Sequence, residues 1–196
     1  MNIIKNKKSI AIQFNLEDGL SHEHITTKRM LSNMDRMYLN NDKLKEMISN
    51  EDVLVYEFYE LGIPEDPGEL AYGTTILYPG KVDKEYFMTK GHFHAKIDTA
   101  EIYYCIKGHG YLLMENPEGD VELQEMSPGI SVYVPPRFAH RSINISDSES
   151  FIMFFVFRAD AGHDYKTIET KGFRKLLIEI DGKPQLVDNP KWKDLE

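Results

Sequence analysis

The sequence predicts an all-β fold, a sandwich or barrel of short strands with a helical decoration at its N-terminus. Three observations predict it. From Val53 onward the chain is built of short runs rich in Val, Ile, Tyr and Phe, the residues that fit a pleated, half-buried surface. Gly- and Pro-marked turns separate these runs at spacings of roughly 8–12 residues, the rhythm of a sandwich or barrel. Strong helical periodicity is confined to residues 28–50, where Met30, Leu31, Met34 and Met37 recur at steps of three and four.

Taken in order, residues 9–14 can form a strand. Residues 28–37 read as a helix interrupted by Asn40-Asn41-Asp42, and Asp42 can cap a second short helix over 43–49. Strands are expected at 53–59 and 71–78, the latter ended by Pro79-Gly80. Further strands follow at 87–94, 101–106 and 110–115, with Lys107-Gly108-His109-Gly110 as a hairpin signal. Asn116-Pro117-Glu118-Gly119 and Ser127-Pro128-Gly129 mark turns. Strands at 130–134, 140–145, 151–157 and 175–180 complete the run, and Asp181-Gly182 turns the chain into Gln185-Leu186-Val187. No linker breaks the β region. Residues 1–50 are therefore an extension and residues 51–196 a barrel with C-terminal strands, in one structural domain.

The 196 residues suffice for a domain with a substantial core. A net charge of −9 without a basic block excludes nucleic acid as the main partner. An anionic substrate would need a pocket made locally positive by backbone N–H groups or a metal. The single cysteine, Cys105, cannot form an internal disulfide and reads as a packed strand residue, which fits a reducing, cytoplasmic compartment. No apolar run approaches the roughly 20 residues of a membrane span. Lys5, Lys7 and Lys8 precede an apolar stretch too short for a signal peptide.

The chemistry centres on Gly91-His92-Phe93-His94. On a strand, His92 and His94 share a face, start roughly 7 Å apart, and can converge on one ion. Glu101 opens the next strand and offers a hard oxygen, and His140 follows later in the chain. Three imidazoles and a carboxylate suit a first-row divalent metal with open positions; Fe, Mn, Zn, Ni and Co all fit, one per subunit. A second H-x-H, His22-Glu23-His24, has polar flanks and reads as solvent-exposed. The spacing H-x-H-x6-E-x6-G runs from His92 to Gly108, and G-x5-P-x4-H-x3-N from Gly129 to Asn144. The pair resembles the two motifs of the cupins, which implies a jelly-roll β-barrel. Six residues between the second His and the Glu, and Arg137 in place of a glycine, are departures that point to one branch.

Two open metal positions could hold adjacent hydroxyl and carbonyl oxygens for aldose–ketose isomerisation, or O2 beside a substrate for dioxygenase chemistry. A third possibility is a cupin that binds a sugar phosphate without turnover. Longer blocks separate these. Residues 89–96 and 100–103, Tyr78-Pro79-Gly80-Lys81-Val82, Val132-Tyr133-Val134-Pro135-Pro136, Ala159-Asp160-Ala161-Gly162-His163-Asp164-Tyr165 and Val187-Asp188-Asn189-Pro190 closely resemble the cupin-type (archaeal-type) glucose-6-phosphate isomerases. The resemblance implies a homodimer interconverting glucose 6-phosphate and fructose 6-phosphate. It implies metal ligands His92, His94, Glu101 and His140, a phosphate group of Thr75, Thr89, Gly91 and Tyr165, and a sugar end lined by Tyr56, Tyr103 and His163. Glu101 would be a catalytic base unless the hydrogen moves as a hydride, and His163 a proton carrier. Phe157 and Thr99 stand where a tyrosine occurs in part of that family.

Overall fold

The computed structural model describes residues 9–61 and 64–194. The N-terminal lysines Lys5, Lys7 and Lys8 lie outside these described residues. The chain opens with β1 (Thr27–Met30), a 3-10 turn (Leu31–Met34) and α1 (Asn41–Asn50). It continues with β2 (Leu54–Glu60), β3 (Leu70–Leu77), β4 (Lys81–Val82), β5 (Glu85–Tyr86), β6 (Phe93–His94), β7 (Glu101–Lys107) and β8 (Gly110–Glu115). Next come β9 (Val121–Met126), β10 (Ser131–Val134), β11 (Ala139–Asn144), β12 (Phe151–Arg158) and β13 (His163–Asp164). α2 (Tyr165–Lys171), β14 (Lys175–Ile180) and β15 (Lys183–Asp188) close it.

The fold is all-β, as the turn spacing predicts. One sheet has the order β1-β2-β3-β12-β7-β10 and another β11-β8-β9. From β7 to β12 the chain crosses back and forth between these two sheets, with β8 and β9 adjacent in one of them, the jelly-roll plan of a cupin. Tyr103, Cys105 and Phe155 of the first sheet and Leu112, Met114 and Ile143 of the second share one buried cluster, so the sheets pack face to face across it. Leu31, Met34, Tyr38 and Leu44 from the N-terminal segment join the same cluster. Cys105 is fully buried and unpaired, and burial pushes its thiol up to about 11, which fits a packed residue.

Several expectations are corrected. Residues 28–37 are not a helix: β1 pairs with β2, and Leu31 N–H donates to Val53 O at 2.8 Å. A single 3-10 turn buries Leu31 and Met34 together, so the three-residue step was real while the helix was not. Asn40, rather than Asp42, caps α1, its side chain accepting from Lys43 N–H at 3.0 Å. Residues 9–14 form no strand; Phe14 instead stacks on Phe154 with ring centroids 6.2 Å apart. Lys107-Gly108-His109-Gly110 is not a hairpin, because β7 pairs with β12 and β10 while β8 pairs with β9 and β11. That turn carries the chain from one sheet to the other. The hairpin lies one turn later, around residues 116–119, and leads into β9. The Asp181-Gly182 turn between β14 and β15 is as expected, with positive φ at both residues. Among the described residues no helix is long and apolar enough to cross a membrane.

Two measurements test this packing. Replacing Asn40 by Ala should lower the unfolding free energy by ~1 kcal/mol in urea titrations, whereas Asp42→Ala should cost a few tenths at most. Glu85 is buried, and burial above all pushes its carboxyl from 4.5 to about 7. The folded state then holds a proton that the unfolded state releases. Stability should fall by on the order of 3 kcal/mol as pH rises from 4.5 to 7. Glu85→Gln should remove that slope from the pH–stability profile.

Candidate active site and metal centre

Three strands, β6, β7 and β11, and the segment leading into β6 position the donors. Only Phe93 and His94 form a regular strand; His92 is held by an isolated bridge to His140, with His92 N–H donating to His140 O at 3.3 Å and His140 N–H to His92 O at 3.1 Å. Gly91 makes this approach possible. Its φ is +74°, and an added Cβ would lie 2.7 Å from the Phe173 ring and 2.9 Å from His140 O. Glu101 begins β7 opposite Phe157, and His140 lies on β11 opposite Met114.

The expected ligand set converges. His92, His94, Glu101 and His140 each offer one donor atom, all within 4.8 Å of one another, and all four residues are buried. Their hydrogen bonds say which atoms face inward. His94 Nδ1 donates to Thr99 O at 3.0 Å, so its Nε2 presents a lone pair toward Glu101 Oε2, 3.1 Å away. His140 Nδ1 lies 3.4 Å from Phe138 O, and its Nε2, 2.9 Å from the same Glu101 oxygen, makes no hydrogen bond. His92 Nε2 is buried without a partner. Lone pairs aimed at a buried carboxylate repel it unless a cation stands among them. The donor set therefore fits a divalent metal, with backbone carbonyls orienting the imidazoles from behind.

Burial and mutual electrostatics shift the groups around the cluster. Burial, and then the His140, His163 and His94 rings, push His92 well below its ordinary 6.5. Burial alone would raise Glu101; the neighbouring His140 and His94 outweigh it and bring the carboxyl to about 2. Burial, followed by Glu101, raises the Tyr103 phenol well above 10.

Every other expected site residue lines the same cleft. Tyr56, Thr75, Thr89, Gly91, Tyr103, His163 and Tyr165 surround the donors, leaving about 60 Å³ of free space that widens toward solvent. His163 lies on a short strand. It pairs with His94 through β13, and its ring lies 4.4 Å from that of His92 and 5.7 Å from that of Tyr165. Its side chain is exposed at the mouth of the cleft, and partial desolvation among these rings lowers its pKa below the ordinary 6.5. Asp164 caps α2, accepting from Thr167 N–H, and so sets Tyr165 at the first turn.

Four lining residues were missed. Ser142 shares the His140 face of β11, and Phe58 and Glu60 share the Tyr56 face of β2. Counting in steps of two from His140 and Tyr56 would have found all three. Phe155, two residues before Phe157 on β12, is the fourth. Thr99 is buried, but it serves the site through its carbonyl oxygen, so a tyrosine there would keep that contact. His24, expected to be solvent-exposed, is half-buried and stacks on Tyr59 at 5.5 Å, away from the cleft.

A family model described as Glucose-6-phosphate isomerase (GPI) matches residues 28–192. The chain belongs to the glucose-6-phosphate isomerase family. A glucose-6-phosphate isomerase of Pyrococcus furiosus is 47% identical over 187 residues, covering 95% of this chain and 98% of that one. A second, from Thermococcus kodakarensis, is 48% identical over 188 residues, covering 96% and 98%. Among solved structures, an oxalate oxidase in complex with the substrate analogue glycolate superposes with a TM-score of 0.48 at 17% identity, covering 60% of this chain and 58% of that one. No functional statement follows from a likeness of that size.

Either His92→Ala or His140→Ala should weaken metal binding at least about tenfold, the least that loss of even an outer-shell partner costs. Equilibrium dialysis against Mn(II) with elemental analysis measures this, and far-UV circular dichroism checks that the variants fold.

Proposed function

We propose that the chain interconverts glucose 6-phosphate and fructose 6-phosphate with the aid of one divalent metal ion per subunit. The observation that carries the reading is the convergence of His92, His94, Glu101 and His140 beside a hydroxyl-lined cleft in a chain of this family. The same family match favours an isomerase over a dioxygenase or a non-catalytic binder. A metal bound by these four side chains would hold two adjacent substrate oxygens and stabilise negative charge developing on them.

The chain's own residues supply the rest. Thr75 and Thr89 offer hydroxyls and Gly91 a closely approachable backbone for the phosphate, with Tyr165 beside them. Ser142 joins this group, held by Ser142 N–H donating to Thr89 Oγ1 at 3.0 Å. Tyr56 and Tyr103 line the sugar end. His163 is neutral at pH 7 and can relay a proton between the substrate oxygens. Glu101 serves as a ligand and is the candidate base for transfer between C1 and C2. The free space around the donors is smaller than a hexose phosphate, so substrate enters as the rim at His163 and Tyr165 yields. We further read the protein as a cytoplasmic homodimer. The unpaired Cys105 supports the compartment, and the exposed Tyr133 on the edge strand β10 supports pairing of that edge.

A coupled assay with fructose 6-phosphate should lose all turnover on chelation and regain it on metal repletion. Turnover that persists in the chelated protein would sink the reading. Glu101→Gln should abolish most activity under either scheme. Exchange of the substrate C2 hydrogen with solvent should accompany turnover if Glu101 is the base; complete retention of label would assign the transfer to a hydride shift. Thr75→Val should raise KM for fructose 6-phosphate by roughly tenfold, the loss of one hydrogen bond to a charged group, with kcat little changed.

A further inference from the structure

A second cavity lies behind the catalytic cleft. It holds about 430 Å³ of free space, within the usual size of small-molecule sites. Its lining carries five cationic side chains, Arg36, Arg141, Lys171, Lys191 and Lys193, against one carboxylate, Glu169. In a chain of net charge −9 this is a local reversal of sign.

Arg141 is the centre of it. It is 2% exposed, and its Nη2 donates to Lys90 O at 2.6 Å and its Nη1 to Met88 Sδ at 3.0 Å. Its Nε has no partner. Among the described residues no carboxylate comes within 4.0 Å of the guanidinium, which rests instead 4.2 Å over the Phe173 ring. Burying a cation without an anion costs several kcal/mol, and one imported by a ligand would offset that. The carboxylates that do approach are behind the lining. Glu115 accepts from Arg174 N–H and pairs with Lys171 Nζ at 3.0 Å, and Glu85 accepts from Leu39 N–H.

We propose that this cavity binds a small molecule carrying a phosphoryl group. Several cations around a guanidinium fork suit a dianionic tetrahedral group better than a single carboxylate. The site is distinct from the cleft. Strand alternation turns His140 and Ser142 into the cleft and Arg141 into the cavity behind. A ligand on Arg141 therefore sits on the backbone that carries Thr89 and Gly91, through the bond to Lys90 O.

Calorimetric titration of the full-length, metal-loaded protein with inorganic phosphate tests the site. It is run in a Thr75→Val/Thr89→Val background, which removes two hydroxyls of the catalytic cleft. One phosphate per chain should bind. Adding Arg36→Glu and Lys193→Glu, both at exposed positions, should weaken it at least tenfold. Adding Lys45→Glu, on the exposed face of α1, should leave it unchanged. No binding, or equal weakening by Lys45→Glu, overturns the proposal. Arg36→Glu/Lys193→Glu in the otherwise natural chain should leave kcat unchanged without phosphate, and a lost kcat would mean these positions serve the cleft instead. The readout is binding, so the proposal stands or falls separately from the isomerase reading.

Discussion

One buried carboxylate oxygen, facing the lone pairs of imidazole rings, is the constraint around which this molecule is arranged. Glu101 Oε2 lies 3.1 Å from His94 Nε2 and 2.9 Å from His140 Nε2. Backbone carbonyls occupy or approach the opposite nitrogens, so the rings cannot simply turn their N–H groups inward. Such a cluster is unfavourable in a dry interior unless a cation completes it. The donors come from β7, from β11 and from the segment ending in β6. Satisfying the cluster therefore ties together elements of both main sheets, and the site is coupled to the fold rather than mounted on it.

Strand alternation then sorts chemistry between compartments. On β2, Tyr56, Phe58 and Glu60 face the cleft while Val55 is fully buried in the core. On β11, His140 and Ser142 face the cleft while Arg141 faces the second cavity. One residue of register slip on either strand would exchange these faces and dismantle both sites. Gly91 plays a matching part between strands. Its positive φ lets the chain pass under Phe173 and bring His92 against His140, where any side chain would collide.

The His–Glu cluster was legible in the sequence because its members are polar residues at fixed spacing within apolar β runs, where little but coordination explains them. The β strands were legible for the same reason that they form: short β-branched and aromatic runs cut by Gly and Pro. The N-terminal segment was not. Met30, Leu31, Met34 and Met37 satisfy helical spacing, but pairing of β1 with β2 and one tight turn bury the same side chains. β9 was missed because its outward residues, Glu122, Gln124 and Glu125, dilute its apolar content. Whether Gly108 sits in a hairpin or a crossover depends on which strands pair with β8, and that is tertiary information. Ser142 and Glu60 were overlooked for another reason. The motif drew the eye to ligands, whereas the cleft is built from whole strand faces.

The two roles open to Glu101 pull against each other. Positive charge and N–H donation from the His140 and His94 side favour the ionised form and bring its pKa to about 2 despite burial; where the rings present lone pairs instead, a cation among them takes that part. A base weakened from 4.5 to about 2 loses some three kcal/mol of driving force for accepting a proton, at 1.36 kcal/mol per unit. A bound cation would deepen that loss. His163 is weakened as a base too, its pKa lowered from 6.5 by partial desolvation, but its ring is neutral and holds a free lone pair at physiological pH. Glu60, exposed at the rim and raised above its ordinary 4.5 by partial desolvation and by Glu101, retains more basicity than Glu101 at the same cleft. The groups best able to take a proton are thus at the wall and mouth of the cleft, and Glu101 is better suited to hold an ion than to take a proton. On the isomerase reading proposed above, that division favours proton relay between substrate oxygens by His163, with Glu101 fixing the geometry in which hydrogen crosses between the carbons.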